Sequence, residues 1–339
     1  MSRVVTVEEK LKESISSTLS DYRHVPPGGM NAEHVSRWID QFDPADRRFI
    51  LEETDRILSR GYIAKKDYKR IIRELVEDEK NKEVFDDSAF LNIQEDGFSQ
   101  NELIEELGDK YPDELYTVTR ESSRRWVTSF KRFIYFDDVC FSGRKAYDDL
   151  SWLIYKFDLK DVKILLHFLS GHTFASWNIR KEIESAFPGR NISIIVNEGE
   201  FGDVENRLKY NASSGVFWPV EQNVIIPKWI NEPKKFTGAC RDGFVSGDDF
   251  PDERRRNKFE SILTATGFEI LRHSDNIKKG IKPLGFSTFP GVGFGGTTFT
   301  YRNCPNNVPL AFWWGNYERS GGRALACWYP LMKRIVYNR

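Results

Sequence analysis

The residues most able to do chemistry are two adjacent carboxylates, Asp137 and Asp138. They follow the apolar run Phe133-Ile134-Tyr135-Phe136 and precede Val139-Cys140-Phe141-Ser142-Gly143-Arg144-Lys145. Carboxylates accept hydrogen bonds from hydroxyls, and a Ser-Gly turn that opens a helix presents bare N–H groups at the positive end of the helix dipole. A crevice with acceptors on one side and an anion hole on the other suits a ribose 5-phosphate, and Gly143 allows close approach of the phosphate. Two aspartates behind a strand are, without context, more often a turn or a helix cap. Here strand, acidic pair, Ser-Gly and helix follow one another in the order a sugar-phosphate site needs.

The elements around the pair set its geometry. Arg132 to Phe136 reads as a strand and Arg144 to Phe157 as a helix with Leu150, Leu153, Ile154 and Phe157 inward. Lys163 to Leu169 is a continuous apolar run, as a strand buried on both faces should be. Phe174 to Phe187 reads as helix and Ile192 to Val196 as strand. Upstream, Ala89 to Ile93 is a short strand, Gln94 to Gln100 a loop and Asn101 to Leu107 an amphipathic helix. This alternation predicts an α/β fold with a parallel sheet between helices, whose ligands bind beyond the carboxyl ends of the strands. Asp137 and Asp138 are expected at such an end. His172 is expected at the next, either as a base or acceptor or as a loop histidine capping the following helix, while His167 reads as a core histidine.

Residues 1–82 read as a separate helical module. Thr6 and Glu9 form a capping box, Pro26-Pro27-Gly28-Gly29 breaks the chain, and Asn31 opens a helix that carries Val35, Trp38, Ile39 and Phe42 on one face. Asp43-Pro44 is predicted to cap and start a helix over Ala45 to Ser59, stopped by Gly61. Lys66 to Glu77 follows, and its charged end, Glu77 to Glu83, reads as a solvated run leading to a boundary.

The second domain, 83–339, ends in an irregular part that mixes glycine turns with β-type residues. Its Gly291-Val292-Gly293-Phe294-Gly295-Gly296 matches GxGxxG, but no helix follows, which removes the dinucleotide reading. Lys258 to Thr266 reads as helix, Arg254-Arg255-Arg256 as a solvated charge run, Asn303 to Asn307 as a turn, and Trp313-Trp314 as core.

The 339 residues leave room for two units, and 50 basic against 51 acidic side chains give no electrostatic case for nucleic acid or an anionic membrane as partner. Cys140, Cys240, Cys304 and Cys327 lie far apart with no CxxC pair, which argues against zinc and redox chemistry and fits a reducing cytosol. Helix N-termini lower thiol pKa, but Cys140 reads as buried behind its strand. No apolar segment has signal-peptide or membrane-spanning length, so a cytoplasmic protein is expected.

The stretch Phe133 to Lys145 resembles the ribose-diphosphate signature of the type I phosphoribosyltransferases: four apolar residues, two acidic ones, a short phosphate loop and a helix. The resemblance implies a type I phosphoribosyltransferase-like parallel sheet flanked by helices over 83–339. It makes Asp137 and Asp138 the catalytic pair that holds the ribose hydroxyls of phosphoribosyl diphosphate. Val139, Cys140, Phe141, Ser142, Gly143, Arg144 and Lys145 would bind its 5-phosphate, with Phe141 and Lys145 standing where the family has small hydroxyl residues. His172 joins the substrate-binding set.

Residues from about 85 onward are more specifically similar to phosphoribosyltransferase-like proteins found with bacterial conflict and anti-phage elements. The carriers are Ile93 to Leu107, Asp137 to Gly143, Gly293 to Gly315 and Trp328-Tyr329-Pro330. This implies a pyrophosphate-binding turn at Gly97-Phe98-Ser99, where Glu95 and Asp96 would repel pyrophosphate unless Mg²⁺ intervenes. It also implies Mg²⁺ bound mainly through substrate, with no protein metal ligands assigned. The implied activity is pentosyl transfer at the anomeric carbon with release of pyrophosphate, as a defence effector. The alternative is a non-catalytic nucleotide or ribose-phosphate sensor. A protein partner from a defence operon is expected through the helical module.

Overall fold

The computed structural model describes residues 5–94, 98–197, 199, 203–204, 214–238, 240–241, 250, 252–274 and 280–335. They form two compact units, one joining residues 1–65 to 206–339 and the other running from 66 to 205.

The chain opens with α1 (Val7–Thr18), α2 (Ala32–Ile39), α3 (Arg47–Gly61) and the short strand β1 (Tyr62–Ile63). The capping box forms, with Thr6 Oγ1 accepting from Glu9 N at 3.1 Å and Glu9 Oε2 from Thr6 N at 2.7 Å. Asn31 Oδ1 accepts from His34 N at 3.0 Å and caps α2, whose Val35, Trp38 and Ile39 are buried together with Phe42. Asp43-Pro44 does not open α3. Asp43 Oδ1 takes the Ala45 N–H at 2.9 Å inside a turn, and the helix starts after Asp46.

The second unit begins with α4 (Lys65–Glu77) and α5 (Glu79–Asp86). The charged run is not a boundary: Asp78 accepts from Lys80 N at 3.0 Å and caps α5. There follow β2 (Ala89–Asn92), α6 (Ser99–Gly108), β3 (Thr117–Thr119), α7 (Arg124–Val127), β4 (Arg132–Cys140), α8 (Arg144–Phe157), β5 (Val162–His172), α9 (Thr173–Ala186), β6 (Ile192–Asn197) and β7 (Asp203–Val204). The strands lie in the order β3-β2-β4-β5-β6, with β7 added to β5, and every pairing is parallel.

One face of this sheet packs on α8 and α9. Phe133, Tyr135, Ile164, Leu166 and Phe168 share a core there with Leu150, Leu153, Ile154, Ile179 and Ile183. On the other face Phe90 of β2 meets Phe85 of α5 with ring centroids 5.2 Å apart. β4 and β5 outrun their apolar patterns, since the ladder continues to Cys140 opposite Gly171. Ladder bonds are made by backbone, so polar side chains at Asp137, Asp138 and Ser170 do not end it.

The C-terminal part returns to the first unit through α10 (Glu253–Leu271), β8 (Phe299–Thr300), α11 (Leu310–Trp313) and α12 (Arg323–Ala326). β1 pairs with β8, Trp38 Nε1 donates to Ala311 O at 2.8 Å, and Tyr22 Oη donates to Lys333 O at 2.7 Å. The N-terminal helices therefore share one core with the C-terminal segment, and the expected division at 82/83 is not where the chain divides. Arg254-Arg255-Arg256 is not a solvated run either. Arg256 is buried against Glu260 at 2.9 Å, and Arg255 pairs with Glu52 at 2.9 Å. Gly295 serves close packing, since a Cβ there would lie 1.9 Å from Phe217 O. Trp313 is buried, as expected. Among the described residues no helix is long and apolar enough to cross a membrane.

Candidate functional site

The strand order reverses between β2 and β4: the chain leaves β2 for β3 on one side, and β4 continues through β5 to β6 on the other. Such a switch point opens a crevice at the carboxyl ends of the two strands. Gln94, Ser99, Asp137 and Asp138 come from those ends, so the topology sets the acidic pair where a ligand is expected.

The two carboxylates do not share one surface. Successive side chains on a strand point to opposite faces. Asp137 goes to the side of Tyr135, and Asp138 to the side of α4, where its Oδ2 accepts from Tyr68 Oη at 3.1 Å. Asp138 Oδ1 also takes the N–H of Val139 at 2.8 Å.

Asp137 is buried. Its Oδ1 accepts from Ser99 Oγ and from Asp138 N at 2.9 Å, and its Oδ2 from Gln94 Nε2 at 2.7 Å. Burial, and then the neighbouring charge of Asp138, push its carboxyl up to about 7. Gln94 Nε2 also reaches Tyr135 Oη at 2.7 Å, and Tyr135 Oη donates to Asp149 Oδ2 at 2.9 Å. Asp149, buried on α8, is raised above the usual carboxylate range by burial and held by Lys145 Nζ at 2.8 Å. A continuous polar chain thus runs from Ser99 through Asp137, Gln94, Tyr135 and Asp149 to Lys145.

The phosphate-loop candidates follow directly. Gly143 has φ +74° and opens α8 with no side-chain cap, and a Cβ there would lie 2.6 Å from Ile179 Cγ1. Only glycine fits both the conformation and the space. Ser142 is held from both sides: its Oγ accepts from Arg144 N at 3.3 Å and its carbonyl from Asn178 Nδ2 at 3.1 Å. Arg144 is exposed and paired with Asp148 at 2.8 Å. Lys145 leans over the Phe98 ring at 5.0 Å while bound to Asp149, so its ammonium is directed at the carboxylate.

Cys140 and Phe141 are buried and Val139 half-buried. Cys140 joins the core on the α8 side. Ser99 opens α6 with its hydroxyl on Asp137. Glu95, Asp96 and Gly97 lie outside the described residues. His172 caps α9, its Nδ1 accepting from Phe174 N at 3.2 Å, and burial lowers its pKa to about 4. It is the capping histidine of the two readings, on the last residue of β5 and buried instead of in a solvated loop.

The structure therefore brings Ser99, Asp137, Asp138 and the 142–145 turn to one end of the sheet, and adds Gln94, Tyr135, Asp149 and Tyr68. Lys145 to Asp149 has the i,i+4 spacing of a helical ion pair, and Tyr135 alternates with Asp137, so both carried a signal in the sequence. Gln94 and Tyr68 carried none. Among the described residues no three His, Cys, Asp or Glu side chains converge on a metal position.

The parallel sheet, the acidic pair behind its central strand and the glycine-opened helix define an α/β protein of the phosphoribosyltransferase-like kind. A family model, PRTase-CE, matches residues 35–334, and the chain belongs to that family. The match runs through both units, so the N-terminal helices from residue 35 are part of what the family shares. No curated protein matches the chain.

Proposed function

We propose that this protein binds phosphoribosyl diphosphate, or a ribose-phosphate nucleotide, at the carboxyl ends of β2 and β4, and transfers the phosphoribosyl group with release of pyrophosphate. The observation that carries the reading is the meeting, at the switch point of a parallel sheet, of the Asp137-Asp138 pair and the N-terminus of α8 opened by Gly143. Asp138, the less buried of the two, offers acceptors to ribose hydroxyls, and the N–H groups of Gly143 and Lys145 receive the 5-phosphate. In the transfer the bond from the anomeric carbon to the pyrophosphate oxygen breaks, a bond to the acceptor forms, and the acceptor's proton leaves. Positive charge gathers on the ribose ring in the transition state, and the nearby carboxylates stabilise it there.

The donor set fits a magnesium ion held mainly by substrate oxygens and water. Asp137 already accepts three short donors, and no cluster of three ligands stands among the described residues. Bound in that way, the ion would neutralise charge on the leaving pyrophosphate. The cellular role we assign is that of a cytoplasmic effector in a bacterial defence system. A partner protein engaged through the N-terminal helices belongs to the same proposal, and both rest on the resemblance of the motifs.

A second reading, sensing without turnover, is favoured by the occupied polar chain: Asp137 and Lys145 are both satisfied within the protein. Calorimetric titration of phosphoribosyl diphosphate with Mg²⁺ into wild type and into Asp137→Asn/Asp138→Asn tests the site. Binding is expected in the former and at least tenfold weakening in the latter, and no binding by a folded wild type would refute both readings. Release of pyrophosphate when a nucleobase panel is added selects transfer. Binding without release selects sensing.

A further inference from the structure

A cleft of about 260 Å³ lies on the α4 face of the sheet in the second unit, and neither Asp137 nor Asp138 lines it. Leu75 and the edge of Ile71, both on α4, supply an aliphatic wall, with Leu169 of β5 buried beneath it. Glu74 and Asp78 supply exposed carboxylates, and none of the described residues lining the cleft is Lys or Arg. Its volume falls just short of the ~300 Å³ at which pockets for drug-sized ligands begin, which suits a smaller molecule.

The polar groups are mostly acceptors with capacity to spare. Asp78 spends Oδ1 on the Lys80 N–H at 3.0 Å, while Oδ2 makes no hydrogen bond within the described residues. Asn81 donates its amide to Leu75 O at 3.0 Å, which leaves its Oδ1 as an acceptor. His167 is tied through Nδ1 to Asn197 Nδ2 at 3.2 Å, and burial holds its pKa down at about 4, so the ring is neutral at pH 7 and does not repel a cation. Arg70 stands one turn before Glu74 on α4. It reaches both oxygens of Glu74 at 3.1 and 3.3 Å and lies 3.9 Å from Asp67.

We propose that this cleft is a binding site for a small aliphatic amine, a diamine or polyamine whose methylenes lie on Leu75 and the edge of Ile71 and whose ammonium meets Asp78 and Glu74. Phosphate-bearing ligands are repelled by the same carboxylates, so the site is chemically distinct from the phosphoribosyl site and does not depend on it. An ammonium arriving at Glu74 competes with Arg70, and this gives the site a signature that general attraction of cations lacks.

The test is calorimetric titration of putrescine and of spermidine into the full chain at low ionic strength without phosphoribosyl diphosphate, with magnesium chloride as a charge-only control. Saturable binding is expected for wild type. Asp78→Asn keeps the helix cap, because asparagine caps as well as aspartate, and should weaken binding at least fivefold. Leu75→Asn should do the same through the wall. Arg70→Gln, which frees Glu74, should tighten binding at least twofold. The proposal is overturned if wild type gives no saturable heat, if magnesium competes as well as the amines do, or if Asp78→Asn and Arg70→Gln leave the affinity unchanged.

Discussion

Asp137→Asn should make this protein more stable at pH 8 and leave it unchanged near pH 4. Asp137 is buried, and its carboxyl is pushed up to about 7, against about 3.9 in an unfolded chain. The folded state therefore binds the proton more tightly than the unfolded state does. For a raised carboxyl the contribution is fully present below the unfolded pKa and is lost as pH climbs from about 4 to about 7. The difference between those two values corresponds to at most about 4 kcal/mol across that window. Histidines lowered by burial, His172 among them, act in the opposite direction over part of the same range, so the quantity to read is the difference between wild type and variant. Asparagine is neutral throughout and lacks the slope. Its amide needs an acceptor where Gln94 Nε2 now donates, and Gln94 can supply one by turning over, because its Oε1 is buried with no hydrogen-bond partner among the described residues. Urea denaturation of both proteins from pH 4.5 to 8.5, followed by circular dichroism, measures the difference. A variant less stable than wild type at pH 8 would show that the donors around Asp137 stabilise its carboxylate more than burial and Asp138 disfavour it, and would refute the argument.

Two further changes probe the frame around the site. Gly143→Ala, which combines positive φ with a Cβ 2.6 Å from Ile179, should cost about 1–3 kcal/mol and weaken phosphoribosyl diphosphate binding with it; thermal unfolding and the same titration read both. In the other unit Glu260 accepts from Arg256 Nε at 2.9 Å, Arg241 Nη2 at 3.0 Å and Trp218 N at 2.8 Å, all buried. Glu260→Gln leaves two buried guanidiniums short of their carboxylate and should cost about 3–5 kcal/mol, a fall in melting temperature on the order of 10 °C. A fall of only about 1 °C would mean that the cluster does not depend on this charge.

The central part of the chain was legible because its forces are local. Apolar runs gave the strands, 3.6-residue spacing gave α8 and α9, and the acidic pair followed by Ser-Gly located the site. The division into units was not legible, because it rests on contacts such as Trp38 Nε1 to Ala311 O, between residues 273 positions apart, and no periodicity records those. The charged residues fall between these extremes. Arg256 reads as part of a solvated run and Lys145 as a free phosphate ligand, yet each is paired to a carboxylate four residues on, Glu260 and Asp149.

An i,i+4 pair alone does not separate a surface pair from a buried one, but its place on the helix does. Asp149 lies three residues after Ala146 and four before Leu153, on the stripe that also holds Leu150, and all four are buried. Glu260 lies beside Phe259 and three residues before Leu263 on another such stripe, with Arg256 one turn back. A carboxylate on an apolar stripe must bring its own cation and donors, because a lone buried charge is too costly to keep. In α8 that requirement turns Lys145 from the phosphate loop toward Asp149. Binding of an anion at the loop therefore competes with an ion pair that Asp149 needs, which makes Asp149→Asn the change that would release Lys145 to phosphate. Titration of phosphoribosyl diphosphate with Mg²⁺ into Asp149→Asn should give tighter binding than wild type. Weaker binding would show that the pair with Asp149 holds Lys145 in its binding position.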